Sequence, residues 1–229
     1  MLNPPKLQKQ PERFDAENHP AGIFRRLSSE RRDAIVAFSD PGHIVFKPSK
    51  GVYFATAMDM AEFCSSSADH CTVKPIAPHT SYGNIENVYG VSRPVEELLW
   101  QTGFYPSNGR LLNELSDYHV VHFSHWPNLT RMPTTPNTMR IFALFVRHAT
   151  GIGLARRLLK VDRAEIYQVI SAAALSGVLV IDSDPKLASA LPNAADDEEV
   201  KAAEADAAAH ESDRRHGIFG LLLAKIRGL

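Results

Sequence analysis

Between Thr138 and Asp182 the chain carries a succession of apolar spacings, helix caps and breaks that few folds can satisfy. Met139, Phe142, Ala143, Val146 and Ala149 recur at the spacing of one helical face, and Ile141, Leu144 and Phe145 widen it. The spacing therefore predicts a helix covered on most sides. Thr150-Gly-Ile-Gly interrupts it, and Leu154, Leu158 and Leu159 place a second short helix between Ile152 and Lys160. Asp162 stands three residues before Glu165, a capping-box arrangement that opens a third helix with Ile166, Val169, Ile170 and Ala173 on one face. Gly177 suits the left-handed residue after such a helix, and Val178-Leu-Val-Ile181 reads as a buried strand leaving it.

Three helices of these lengths, a tight turn between the second and third, and an apolar strand after the third resemble the winged-helix superfamily of helix-turn-helix modules. The resemblance covers residues 138–182 only, and no wing hairpin is evident, because Ser183-Asp-Pro runs on into an acidic stretch. It implies either nucleic-acid or protein contact. Residues 131–182 hold seven cations and three acids, and Arg156, Arg157, Lys160 and Arg163 gather around the second-to-third helix turn, where phosphates could be met. The third helix is poor for reading bases. Its expected outer positions are Arg163, Glu165, Gln168, Ser171, Ala172 and Leu175, of which only Arg163 and Gln168 suit bidentate readout. The nucleic-acid candidates are therefore Arg156, Arg157, Lys160, Arg163 and Gln168, with protein contact the favoured reading.

Charge and composition divide the rest of the 229 residues. A hydrophobic fraction of 44% with 22% charged residues suits an ordinary globular chain, and a net charge of -1 leaves any attraction to polyanions local. Residues 1–21, rich in Pro, Lys and Gln, read as a flexible arm. Residues 22–130 alternate apolar runs with turn signals and read as an α+β domain. There Ser28 or Ser29 is expected to cap a helix through Ala34, Ile35 and Phe38, and Pro48 to Gly51 to join two strands, His43–Lys47 and Val52–Ala55. Thr56 to Asp59 is expected to open a helix from Met58 to Ser65, Cys71 to Ile76 to form an edge strand, Pro94 to start a helix, and Tyr118 to Phe123 to form a further strand. Pro127 to Pro136 has the composition of a linker into the module at 131–182.

Residues 183–213 carry nine acids against two lysines and read as an acidic, alanine-rich linker. In residues 214–229 the character reverses. Ile218, Leu222, Ile226 and Leu229 line one helical stripe, flanked by Phe219 and Leu223, with four cations and no acid. Such a basic amphipathic peptide fits a groove on a partner protein, a second copy, its own core, or an anionic membrane surface.

No catalytic constellation emerges. His119, His122 and His125 fall on both faces of a strand, so solvated or core-edge imidazoles are the simpler reading than a metal chelate. Cys64, His70, Cys71 and His79 match no zinc-ligand spacing, and Gly151-Ile-Gly153 lacks the third glycine and preceding strand of a dinucleotide fingerprint. The expectation is a cytoplasmic regulatory adaptor, not an enzyme, with no cofactor or metal, acting on a protein partner or on itself. A DNA-binding regulator is the alternative.

Overall fold

The computed structural model describes residues 13–38, 42–76 and 91–182. These form a mixed α/β architecture built on two apolar cores that share one helix. Regular structure begins earlier than the composition suggested. Pro20 occupies the first turn of α1 (Pro20–Ser29), where its missing N–H is no loss, and α1 buries Ala21, Phe24 and Leu27. The expected flexible arm is thus structured from β1 (Arg13–Phe14) onward. Ser29 does not cap a following helix; its Oγ donates to the Arg26 carbonyl at 2.9 Å, and Arg31 leaves α1 with φ of 51°. Ala34–Phe38 is instead a strand, β2, as β-branched Ile35 and Val36 favour.

Strands β3 (His43–Lys47) and β4 (Val52–Ala55) follow, with left-handed Gly51 (φ 70°) ending the turn between them, as expected. With β5 (Cys71–Pro75) and β6 (Arg93–Pro94) they make an antiparallel five-stranded sheet in the order β5-β2-β3-β4-β6. Pro75 and Pro94 both sit on edge strands, where no ladder donor is needed. In central β3 the run Ile44 to Lys47 is buried at every position, so both faces of the sheet are covered there. Helix α2 (Met60–Ser65) opens at Asp59, whose carboxylate accepts from Ala61 N and Glu62 N, not at Thr56, which is hydrogen-bonded to His43. Phe24 contacts Phe46 and Phe63 with ring centroids 4.9 and 6.1 Å apart, tying α1 and α2 to the sheet.

Helix α3 (Val95–Ser107) is buried around most of its circumference. Val95, Leu98 and Leu99 belong to the sheet core, while Trp100 and Phe104 belong to a second, helical core. That core contains α4 (Thr138–Arg147), α5 (Ile152–Leu159) and α6 (Arg163–Ser176). It also takes Phe14 of β1, which pairs in parallel with β7 (Leu111–Leu112). Strand β8 (Val120–Phe123) lies centrally between β9 (Thr150–Gly151) and β10 (Leu179–Ile181), antiparallel to both.

Two expectations for this region change. The buried face of α4 is Thr138, Ile141, Phe142 and Phe145, one position round from the Met139 stripe, and Met139 is 60% exposed. The large rings decide the rotation: Phe123 lies 4.6 Å from Phe142 and 5.1 Å from Phe145. Strand β10 buries Val178 just before it but leaves Val180 and Ile181 exposed. The sheet of β8, β9 and β10 joins residues on both sides of position 130. Residues of linker composition are held in place there, with Met132 buried in the helical core and Trp100 Nε1 donating to the Pro133 carbonyl at 2.9 Å.

Candidate functional site

The turn between α5 and α6 carries the cations picked out in the sequence. Helix α5 is positioned at its start by Ile152 N donating to the His119 carbonyl and Gly153 N to the Asp117 carbonyl, at 3.1 and 3.0 Å. It ends at Lys160, held in the left-handed region with φ of 51°. A side chain there carries roughly 1 kcal/mol of backbone strain that glycine would not. Asp162 then caps α6 by accepting from Ala164 N at 3.0 Å, the Asp162 half of the expected capping box, while the Glu165 carboxylate turns to Asn137 instead. Arg156, Lys160, Val161, Asp162 and Arg163 line an open surface depression of about 500 Å³.

The individual candidates fare differently. Arg156, Arg157 and Lys160 are exposed. Arg163 is engaged: its Nε donates to Tyr167 Oη at 2.6 Å, its guanidinium lies 4.9 Å from the Tyr167 ring centroid, and it pairs with Asp117 at 3.5 Å. The Tyr167 hydroxyl in turn donates to the Asp117 carboxylate at 2.7 Å. Burial pushes the Tyr167 hydroxyl up to about 12; its bond to Asp117 adds to the rise and Arg163 opposes it. Asp117 therefore ties the start of α5 to the first turns of α6 through both its backbone and its side chain.

Helix α6 does not offer the outer face expected of a base-reading helix. Gln168 Nε2 donates to the Phe104 carbonyl at 3.0 Å, which commits it to α3. Ser171 is fully buried, donating to the Arg110 carbonyl and accepting from Leu112 N at 3.2 and 3.0 Å. Ala172 and Leu175 are buried as well. Glu165 accepts from both Asn137 N and Asn137 Nδ2 at 3.1 Å, so its carboxylate sits at the start of α4, where the helix dipole favours it. The cause of this burial is the close crossing of α3 over α6. A Cβ on Gly103 would stand 2.7 Å from Ala172 Cα and 2.9 Å from the Ser171 carbonyl oxygen, a distance only glycine permits.

The histidines are dispersed. His119 Nδ1 accepts from Ser116 N at 3.2 Å, His122 pairs in register with Val180, and His125 approaches Glu96 at 3.4 Å. Among the described residues no three His, Cys, Asp or Glu side chains come together in a way that could hold a metal ion. Burial pushes the Cys64 thiol up strongly and the Cys71 thiol up to about 11, which leaves neither as a ready nucleophile. Ile218, Phe219, Leu222, Leu223, Ile226 and Leu229, the partner-binding candidates, lie outside the described residues. Sequence reasoning missed Asp117 and the α3–α6 crossing. The available signals were a glycine inside an apolar helix and the apolar Ala172 and Leu175 on a face assigned to solvent. Compared with protein-family models, curated proteins and solved structures, the chain matches none of them.

Proposed function

We propose that this chain is a non-enzymatic cytoplasmic regulatory adaptor that works through protein contacts, and that its helical half is a winged-helix-type module turned to structural use. The observation that carries this reading is the burial of the outer face of α6 against α3, with Gln168, Ser171, Ala172 and Leu175 all committed to the protein's own interior. A helix packed in this way offers no row of side chains to a groove. The sheet order supports the same reading: β8, from upstream of the three helices, pairs with β10 where a wing strand would otherwise return.

In this proposal the basic amphipathic peptide 214–229 captures a protein partner or a second copy through Ile218, Phe219, Leu222, Leu223, Ile226 and Leu229. The test is a pull-down from the native host, run beside light scattering, with the full chain and with a chain lacking residues 214–229. Loss of partner or of self-association on truncation is the expected result; unchanged capture and unchanged mass would remove the peptide from the account. The DNA-binding alternative keeps one supporting observation, the exposure of Arg156, Arg157 and Lys160 beside the turn. Filter binding against genomic fragments at two salt concentrations addresses it: steeply salt-dependent, sequence-selective retention would favour that alternative over the adaptor.

A further inference from the structure

The outer edge of β10 presents a hydrogen-bonding pattern that the same strand can complete. In the ladder with β8, Ser124 N donates to the Val178 carbonyl and Asp182 N to the Val120 carbonyl, both at 2.9 Å, and Val180 lies opposite His122 between them. Val178, Val180 and Asp182 therefore turn their backbone groups to β8, while Leu179 and Ile181 turn theirs to the far side. Among the described residues no strand lies there. The other edges of the two larger sheets are protected: β5 ends in Lys74-Pro75, β6 is Arg93-Pro94, and β9 is two buried residues. Strand β10 carries neither charge nor proline, and Val180 and Ile181 are 39% and 46% exposed.

We infer that β10 is a dimerisation edge, closed by β10 of a second copy of this chain in antiparallel, two-fold pairing. With Val180 opposite Val180 of the second copy, Leu179 of each copy falls opposite Ile181 of the other. Four hydrogen bonds then take up every outward N–H and carbonyl of Leu179 and Ile181 in both copies. Leu179 and Ile181 share a face with Phe123 and Val121, their partners in register, so the second copy extends that apolar face without a polar interruption. Charge sets the direction. Nine acids and two lysines follow Asp182 in residues 183–213. Parallel pairing would start both acidic stretches side by side, whereas antiparallel pairing starts them at opposite ends of the ladder, with the two Asp182 residues roughly 13 Å apart along the strands. A ladder this short makes a weak dimer, so its population follows concentration.

This goes beyond the adaptor reading and does not depend on residues 214–229. The experiment is sedimentation of the full chain over a concentration series, beside Ile181→Pro. That variant removes one outward donor per copy and no bond to β8, and proline is tolerated at an edge position of this kind. Self-association of the unaltered chain is expected, weakened about tenfold or more in Ile181→Pro, which loses two of the four bonds. Val180→Cys tests the register, because residues opposite each other in a non-hydrogen-bonded pair, with Cα atoms about 4.5 Å apart, lie within reach of a disulfide. Oxidised glutathione should cross-link Val180→Cys into a dimer under conditions where Ile181→Cys gives little, since Ile181 faces Leu179. An unaltered chain that stays monomeric at every concentration would overturn the inference. So would self-association indifferent to Ile181→Pro, or equal cross-linking of the two cysteine variants. Each of these results would leave capture of a partner protein by residues 214–229 standing.

Discussion

The sheet core draws its residues from one stretch of chain, Ile23 to Leu99, whereas the helical core collects Phe14, Ala16 and Ala21 from the start and then Trp100 to Val178. Three neighbouring strands of the sheet, β2, β3 and β4, are also consecutive in sequence, so much of that half closes over short loops. The helical half closes over long ones: β1 pairs with β7 about a hundred residues on, and β8 waits for β10 across three helices. Long closures carry a larger entropic cost and must be compensated by contacts made late. The comparison makes α3 the element on which both halves depend, since its first turns serve one core and its later turns the other.

Trp100→Ala presses hardest on that dependence. Trp100 is fully buried, stacks near Phe104, lies tilted against Phe142, and donates to the Pro133 carbonyl. Removing it should cost about 3–5 kcal/mol in denaturant unfolding. If a fluorescence probe placed in the sheet half kept its original midpoint, the two halves would not be coupled through α3. Gly103→Ala comes next. The new Cβ meets backbone atoms of Ala172 and Ser171 that no rotamer change can move away, and overpacking of this kind costs about 1–3 kcal/mol. A neutral or stabilising result in thermal unfolding would contradict the close crossing.

An alkaline titration compares the halves directly, because each contains one tyrosine that donates to a carboxylate. Tyr53 donates to Glu97 in the sheet half and Tyr167 to Asp117 in the helical half. Burial first, with the adjacent carboxylate, pushes Tyr53 from 10.0 up to about 12, and Tyr167 rises to a similar value. A raised tyrosine favours the folded state while it stays protonated. Its contribution is therefore complete below pH 10 and is lost as pH climbs through about 12. For Tyr53 that contribution is on the order of 2 kcal/mol. Tyr53→Phe should flatten part of the alkaline fall in stability, and an unchanged slope would show that Tyr53 ionises freely. Glu165→Ala is the mildest of these changes. It strips the acceptor from the start of α4 and should cost about 1 kcal/mol, with the loss confined to the helical half by site-resolved exchange.

How much of this was legible in the sequence follows from the range of each signal. Caps and turns are local, so Asp162, left-handed Gly177 with φ of 81°, the hairpin at Pro48 to Gly51 and the proline before α3 all appear where residue type placed them. Ala34 to Phe38 forms a strand and not a helix because the β-branched pair Ile35 and Val36 outweighs the capping signal of Ser28 and Ser29. Rotational setting was less legible, because the apolar stripe of α4 is wide and only the position of Phe123 selects Phe142 and Phe145 over Met139. The covering of α6 was least legible of all. An apolar residue on an outer face says that something lies over it, but not that the partner is a helix some seventy residues earlier, crossing at Gly103. Arg156, Lys160 and Arg163, close in sequence, line one depression, yet the commitment of Arg163 to Asp117 and Tyr167 depends on a loop before β8.

The central claim is that α6 is an internal axis of the molecule, clamped by α3, and not a reading head presented to solvent. Native-state hydrogen exchange across a denaturant series measures this most directly. If the claim holds, the amides of 166–175 will exchange only through the same global opening as those of 98–104, with equal free energies and equal denaturant dependence. A lower opening free energy for 166–175, reached while 98–104 stay protected, would mean that α6 can leave α3 on its own, and would contradict the account.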